Sequence, residues 1–178
     1  MGRITRLMGL DCPISCQPKQ IFMETKVTIS EITHEELVNL FSTAFYGSTY
    51  LEADYTNPSL KEDGDCFEDI LAKNLLAGDS IVVTDWYAEG EAYGSLPHII
   101  DDDDECVHYT VILEDIRRGL ERSANGTFNT GDDRWAEQAR RSAKISFNSF
   151  IDNEAVDFDL VRADILMQII LFDEIIYG

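Results

Sequence analysis

Residues 65–87, DCFEDILAKNLLAGDSIVVTDWY, place a helical pattern directly before a strand pattern and decide the fold class. Apolar residues recur at helical spacing over Phe67–Leu75, and Asp65–Glu68 has the Asx-x-x-Glu spacing that often starts a helix. Residues 80–87 are β-branched and aromatic, which is typical of a strand. This stretch therefore predicts a chain that mixes helices and strands.

Four more segments carry the apolar period of a helix. The predicted helices are 34–45 behind a Thr33/Glu36 capping box, 114–124, about 135–150 capped by Asp132 or Asp133, and 158–172 capped by Asp157. The last four residues of the final segment, 169–172, could instead form a strand because they are continuously apolar.

Three further patterns concern the sheet. Residues 24–29 and 106–113 alternate like strands, and residues 88–91 suggest a hairpin turn between Tyr87 and Tyr93. Together the patterns predict an α+β fold with four or five helices on a small, mostly antiparallel sheet. We expect a single acidic domain over residues 23–178, preceded by a flexible extension over residues 1–22.

Charge is the most informative feature of the composition. The chain has 178 residues and a formal net charge of −20, from 34 acidic and 14 basic residues. Residues 27–116, which we call the acidic block, hold 21 acidic residues against two lysines, a net −19. Non-specific nucleic-acid binding needs Lys and Arg to displace counterions, and anionic membranes attract the same residues. We therefore expect neither direct DNA binding nor membrane binding.

A rigid array of carboxylates could imitate the phosphates of DNA. Carboxylates four residues apart on a helix lie ~5–6 Å apart, and alternate strand residues ~6–7 Å apart. The alternative is that the acidic residues only solvate loops or cap helices. The candidate partner-binding residues are the densest acidic groups: Glu62, Asp63, Glu68, Asp69, Glu89, Glu91, Asp101, Asp102, Asp103, Asp104 and Glu105.

Residues 117–144 carry seven basic and four acidic residues, a net +3. Arg117, Arg140, Arg141 and Lys144 are candidates for a secondary basic contact, either with the acidic block of another copy in a homodimer or with RNA in the target. The alternative is that they form helical ion pairs four residues apart, such as Glu137 with Arg141.

No catalytic motif is present, so we expect no enzymatic activity and no cofactor. Cys106 and His108 alternate on a predicted strand and should share one face, but their spacing does not match a zinc site. The run Asp101–Glu105 could hold a divalent cation weakly, although it lacks the glycine and glutamate of a calcium loop.

The segments Cys66–Asp69 to Tyr93–Gly94 and Ala163–Asp164 to Tyr177–Gly178, with the small size and strong acidity, resemble small acidic proteins of bacterial mobile elements. Within that group the chain is similar, at the level of the class, to anti-CRISPR and antirestriction proteins that act as DNA mimics. These inhibitors share charge rather than a motif, so the resemblance assigns no residue a role. It implies a partner such as a Cas effector or a restriction enzyme.

We therefore expect a cytoplasmic, non-enzymatic inhibitor that binds a basic nucleic-acid-binding protein through residues 52–105. One alternative is a structural or regulatory accessory protein of a phage or plasmid whose acidity serves solubility. Another is a weak metal-dependent hydrolase that uses the carboxylates of Asp101–Glu105.

Overall fold

The computed structural model describes residues 26–101, 103, 105–152 and 158–177. Over these residues the chain forms five α-helices and one four-stranded antiparallel sheet, which confirms the predicted α+β class. The predicted extension, residues 1–22, lies outside the described residues.

The helices are α1 (His34–Phe45), α2 (Phe67–Leu76), α3 (Leu113–Asn125), α4 (Ala136–Ile151) and α5 (Leu160–Phe172). The strands are β1 (Leu51–Tyr55), β2 (Ile81–Asp85), β3 (His98–Asp101) and β4 (Cys106–Val111). A single 3₁₀ turn, Pro58–Leu60, follows β1.

The strand order is β1-β2-β4-β3, so β4 lies between β2 and β3 although β3 comes before it in the sequence. The hairpin predicted at residues 88–91 is therefore wrong. A turn does form there, because Glu91 N donates to Ala88 O at 2.9 Å, but the flanking residues do not pair as strands. The segment instead carries the chain past the end of β4 to the far edge of the sheet.

The opening strand predicted at residues 24–29 is also wrong over its described part, since residues 26–33 form no strand. The backbone N–H groups of this segment instead donate hydrogen bonds to side chains of α3. Val27 N donates to Asn125 Oδ1 at 2.9 Å, and Ile29 N donates to Glu121 Oε1 at 2.9 Å. Because backbone groups need partners but not a particular kind of partner, an extended segment can bind a helix as well as a sheet.

The capping box at Thr33 and Glu36 is confirmed at the start of α1. The expected start of α2 is one residue too early, because Cys66 is the N-cap residue and its backbone N–H donates to Asp69 Oδ2 at 3.1 Å. Asp65 has other partners: its carboxylate accepts from Glu62 N and from Lys73 Nζ.

The caps predicted for the last two helices are wrong as well. Asp132 accepts a hydrogen bond from Arg134 N, so its side chain serves the turn that precedes α4 rather than the helix itself. In α5 the capping side chain is Asp159, which accepts from Arg162 N at 3.0 Å; Asp157 lies outside the described residues. Residues 169–172 are helical, because α5 is buried along most of its length by packing against α1, α3 and α4.

The main hydrophobic core lies on one side of the sheet. Alternate strand residues enter it, together with buried residues of all five helices. The strand residues in the core are Leu51, Ala53, Ile81, Val83, Val107, Tyr109 and Val111. The side chains between them point the other way, and we call that side the outer face.

Candidate protein-binding surface

The outer face follows from strand alternation and register. Glu52 of β1 pairs with Thr84 of β2, Thr84 pairs with His108 of β4, and His108 pairs with Ile99 of β3, so one row crosses all four strands. The outer-face residues are Glu52, Asp54, Val82, Thr84, Ile99, Asp101, Cys106, His108 and Thr110.

This face has acidic groups at both edges and no basic residue in any strand. Glu52 and Asp54 are exposed on the edge strand β1, and Asp101 is half-buried on the opposite edge strand β3. None of the four strands contains Lys or Arg. The two edges are three strand spacings apart, which is about 14 Å.

The centre of the face, formed by β2 and β4, is mostly polar and carries no carboxylate. Thr84 Oγ1 lies 2.9 Å from His108 Nδ1, and Cys106 Sγ lies 3.6 Å from His108 Nε2. The structure thus confirms that Cys106 and His108 share a face. Both ring nitrogens have a neighbour within the sheet, so His108 is explained as a structural residue.

Two large apolar side chains are exposed beside the carboxylates. Ile99 is 70% exposed on β3, and Trp86 is 44% exposed just after β2. Trp86 Nε1 donates to Glu52 Oε2 at 3.2 Å, which holds the indole and the carboxylate together. Aromatic anchors surrounded by charge are typical of protein-binding surfaces.

A hollow of about 610 Å³ extends the outer face at the β1 edge. Its lining includes Glu52 and Asp54 together with Glu68 from the first turn of α2. Three carboxylates from two elements therefore meet there, although they are 14 and 16 residues apart in sequence. The sequence predicted Glu68 as a partner-binding residue but did not identify Glu52 or Asp54.

Two acidic groups that are separate in sequence meet at the other end of the sheet. Gly90 N donates to Glu105 O at 2.9 Å, so the turn that carries Glu89 and Glu91 lies against the β3–β4 turn. Glu89 and Glu105 both have left-handed backbone, with φ of 50° and 54°. Asp103 N donates to Asp101 Oδ1 at 3.0 Å. The candidates Asp102 and Asp104 lie outside the described residues.

The candidate cluster around α2 is partly neutralised within the chain. Lys73 Nζ lies 2.6 Å from Glu62 Oε2 and 2.9 Å from Asp65 Oδ2. Hydrogen bonds from the backbone of Glu62 and from Lys73 hold the pKa of Asp65 below its usual range. Asp69 interacts with Cys66 and lies 3.6 Å from His34 Nε2, and the hydrogen bonds from Cys66 lower the pKa of Asp69. Glu62 and Asp69 therefore have structural partners.

The predicted basic residues divide into two groups. Arg117 pairs with Glu114 and, at 2.9 Å, with Glu121, so it is occupied within α3. Arg140, Arg141 and Lys144 are exposed on α4 and form no ion pair within the part of the chain that the structure describes. These three remain candidates for a secondary contact.

Two carboxylates, the buried Asp85 and the half-buried Asp164, were missed because nothing in the local sequence marks them. Asp85 accepts from Tyr177 Oη at 2.9 Å and from Tyr87 N at 2.9 Å, and burial raises its pKa. Asp164 accepts from Tyr50 Oη and from Gln168 Nε2. These bonds join the C-terminal segment to the sheet and to the residues before β1, so both carboxylates stabilise the fold.

Within the described residues, no group of three or more His, Cys, Asp or Glu side chains is arranged to hold a metal ion. None of the described helices is long and apolar enough to cross a membrane. No family model, curated protein or solved structure matches this chain.

Proposed function

We propose that this protein is a non-enzymatic, cytoplasmic inhibitor that binds the basic nucleic-acid-binding surface of a defence enzyme, a Cas effector or a restriction enzyme, by DNA mimicry. One observation carries the proposal: the outer face has carboxylates at both edges and no Lys or Arg in its strands. A partner for this face must therefore supply positive charge.

The spacing of the carboxylates supports mimicry over a generic acidic surface. The two edge strands that carry the carboxylates lie about 14 Å apart, a separation of the same order as the ~12 Å width of the major groove of B-DNA. Along β1, Glu52 and Asp54 are ~7 Å apart, which equals the axial rise of two nucleotides. A protein surface that follows a row of phosphates can follow the Glu52 and Asp54 carboxylates.

Apolar contacts would supply affinity, since exposed charge pairs contribute little by themselves. Trp86 and Ile99 lie beside the carboxylates and are exposed by 44% and 70%. Charge would then steer the encounter and raise the association rate, while the two side chains anchor the complex.

The experiment measures inhibition and binding with a guide-loaded Cas9 and a type II restriction endonuclease. We expect at least one enzyme to be inhibited and to release the protein when a 25-base-pair duplex is added. The triple variant Glu52→Gln, Asp54→Asn, Asp101→Asn should weaken binding by about tenfold, since each lost exposed charge contact is worth about 0.5 kcal/mol.

The matched control is Asp133→Asn, Glu137→Gln, Asp152→Asn, which removes the same charge from exposed positions in and beside α4. The Kd of this control should be within about threefold of that of the unmodified protein if the position of the carboxylates matters more than the total charge. Equal weakening by both triple variants would reject the outer face as the site. Binding that duplex DNA fails to displace would reject mimicry and favour the accessory-protein alternative.

A further inference from the structure

A second concave site lies away from the outer face, between α4, α5 and the C-terminal segment 173–177. The pocket has a volume of about 470 Å³. Its apolar lining includes Ala139, Ile165 and Ile175, which pack against a small separate hydrophobic cluster. That cluster consists of Phe128, Ala143 and Ile169. The base of the pocket is therefore fixed by packing.

The rim of the pocket exposes two large apolar side chains. Trp135, the residue before α4, is 61% exposed, and Val161 in the first turn of α5 is 66% exposed. An exposed indole does not gain the hydrophobic stabilisation that burial would give it. Its negatively polarised face, however, remains accessible to a ligand.

The charged residues of the lining, Asp132, Asp164 and Glu174, are all acidic, and Asp132 is paired with Arg134. Glu174 Oε2 accepts from Asn129 Nδ2 at 2.8 Å, which orients the carboxylate, while Glu174 Oε1 has no hydrogen-bond donor among the described residues. Asp164 is half-buried in the same lining, and its two oxygens accept from Tyr50 and Gln168. No described residue of the lining is Lys or Arg.

Gly131 makes room for the Glu174 carboxylate. Its φ is +59°, and a Cβ built on it would lie 2.5 Å from Glu174 Oε1. Asn129 N also donates to Asp173 O at 2.8 Å, so the loop before α4 and the segment after α5 are held together beside the pocket. The acidic oxygen is thus positioned by its surroundings.

We propose that this pocket binds an organic cation, the guanidinium or ammonium group of an alkyl chain, between Trp135 and Glu174. The cation would lie against the indole face and complete the hydrogen bonding of Glu174 Oε1, while the alkyl chain contacts the apolar walls. An anion would be repelled by Asp164 and Glu174, and a neutral apolar ligand would desolvate them without replacing their water. The proposal does not depend on the function of the outer face.

The experiment uses the full-length protein with Trp86→Phe, which leaves Trp135 as its one indole because the chain has two tryptophans. Indole fluorescence is titrated with N-acetyl-arginine methylamide, with spermidine, and with N-acetyl-citrulline methylamide, the neutral isostere of the first. We expect saturable binding of a cation, with the citrulline compound at least about tenfold weaker. The tighter of the two cations distinguishes a partner's side chain from a free polyamine.

Glu174→Gln should weaken cation binding by about tenfold, whereas Asp133→Asn, an exposed carboxylate outside the lining, should not change it. A thermal melt of each variant verifies that it is folded. Equal binding of the arginine and citrulline compounds, or equal loss in the two variants, would overturn the proposal, because the signal would then reflect general attraction to an acidic protein.

Discussion

At the scale of single residues, Asp85 shows how a buried charge is accommodated. The residue is fully buried at the end of β2, and two donors, Tyr177 Oη and Tyr87 N, bind its carboxylate. Burial nevertheless dominates and raises its pKa above the ordinary 3.8. Burial also raises the pKa of neighbouring Tyr109 to about 12, so that phenol stays protonated over the useful pH range.

The raised pKa of Asp85 predicts how the stability of the protein depends on pH. Because the folded pKa lies above the unfolded value, the contribution of Asp85 to the free energy of unfolding is full below about pH 3.8 and declines as pH rises through the folded pKa. Urea unfolding should therefore show that the stability of the unmodified protein falls from pH 4 to pH 7 relative to Asp85→Asn.

Tyr177→Phe provides the matched variant. It removes a hydrogen bond that favours the charged form of Asp85, so the decline with pH should become steeper. Parallel stability curves for the unmodified protein and Asp85→Asn would contradict the account, because they would mean that Asp85 titrates alike in the folded and unfolded chains.

At the scale of elements, the packing of α3 on α5 depends on one glycine. A Cβ built on Gly119 would lie 2.4 Å from Ile170 Cγ1 and 2.7 Å from Ile170 Cα. The second contact is with backbone, so a change of rotamer cannot relieve it. Glycine is unfavourable within a helix by ~1 kcal/mol relative to alanine, and here the close approach of the two helices offsets that cost.

Gly119→Ala should therefore destabilise the protein by about 2 kcal/mol in urea unfolding, although alanine is the better helix former. Asn148→Ala, at an exposed position within α4, tests helix propensity without the contact and should be neutral or slightly stabilising. A gain in stability for Gly119→Ala would show that α3 and α5 do not pack this closely.

At the scale of the whole molecule, self-repulsion within the acidic block should be visible as an effect of salt. Residues 27–116 have a net charge of −19, and Lys73 is occupied by Glu62 and Asp65. Raising NaCl from 20 to 500 mM shortens the Debye length from about 20 Å to about 4 Å. The Tm should rise by several degrees, as measured by circular dichroism.

Binding to the proposed target should respond in the opposite direction, since the same screening weakens attraction between the acidic face and a basic surface. One salt series thus gives two results of opposite sign. Stability that falls with salt would mean that local ion pairs outweigh repulsion, and binding that is unchanged in 0.5 M NaCl would contradict the mimicry proposal.

The sequence by itself determined the helices, the acidic block and the α+β class. The hydrogen bonds of a helix form within one segment of the chain. The capping box at Thr33 and the apolar period of α2 are therefore enough to predict these helices from local sequence. The same argument explains the errors at the caps, because a carboxylate such as Asp65 or Asp132 can bind either a helix N-terminus or a nearby basic side chain.

Only the tertiary structure decided which carboxylates share a surface. The edge strands β1 and β3 have five and four residues, too few for a clear alternating pattern, and each exists because β2 or β4 pairs with it. Pairing turns Glu52, Asp54 and Asp101 to one face, and helix packing determines that the opposite face is the core. The sequence determines the total charge, but pairing between distant segments determines where it lies.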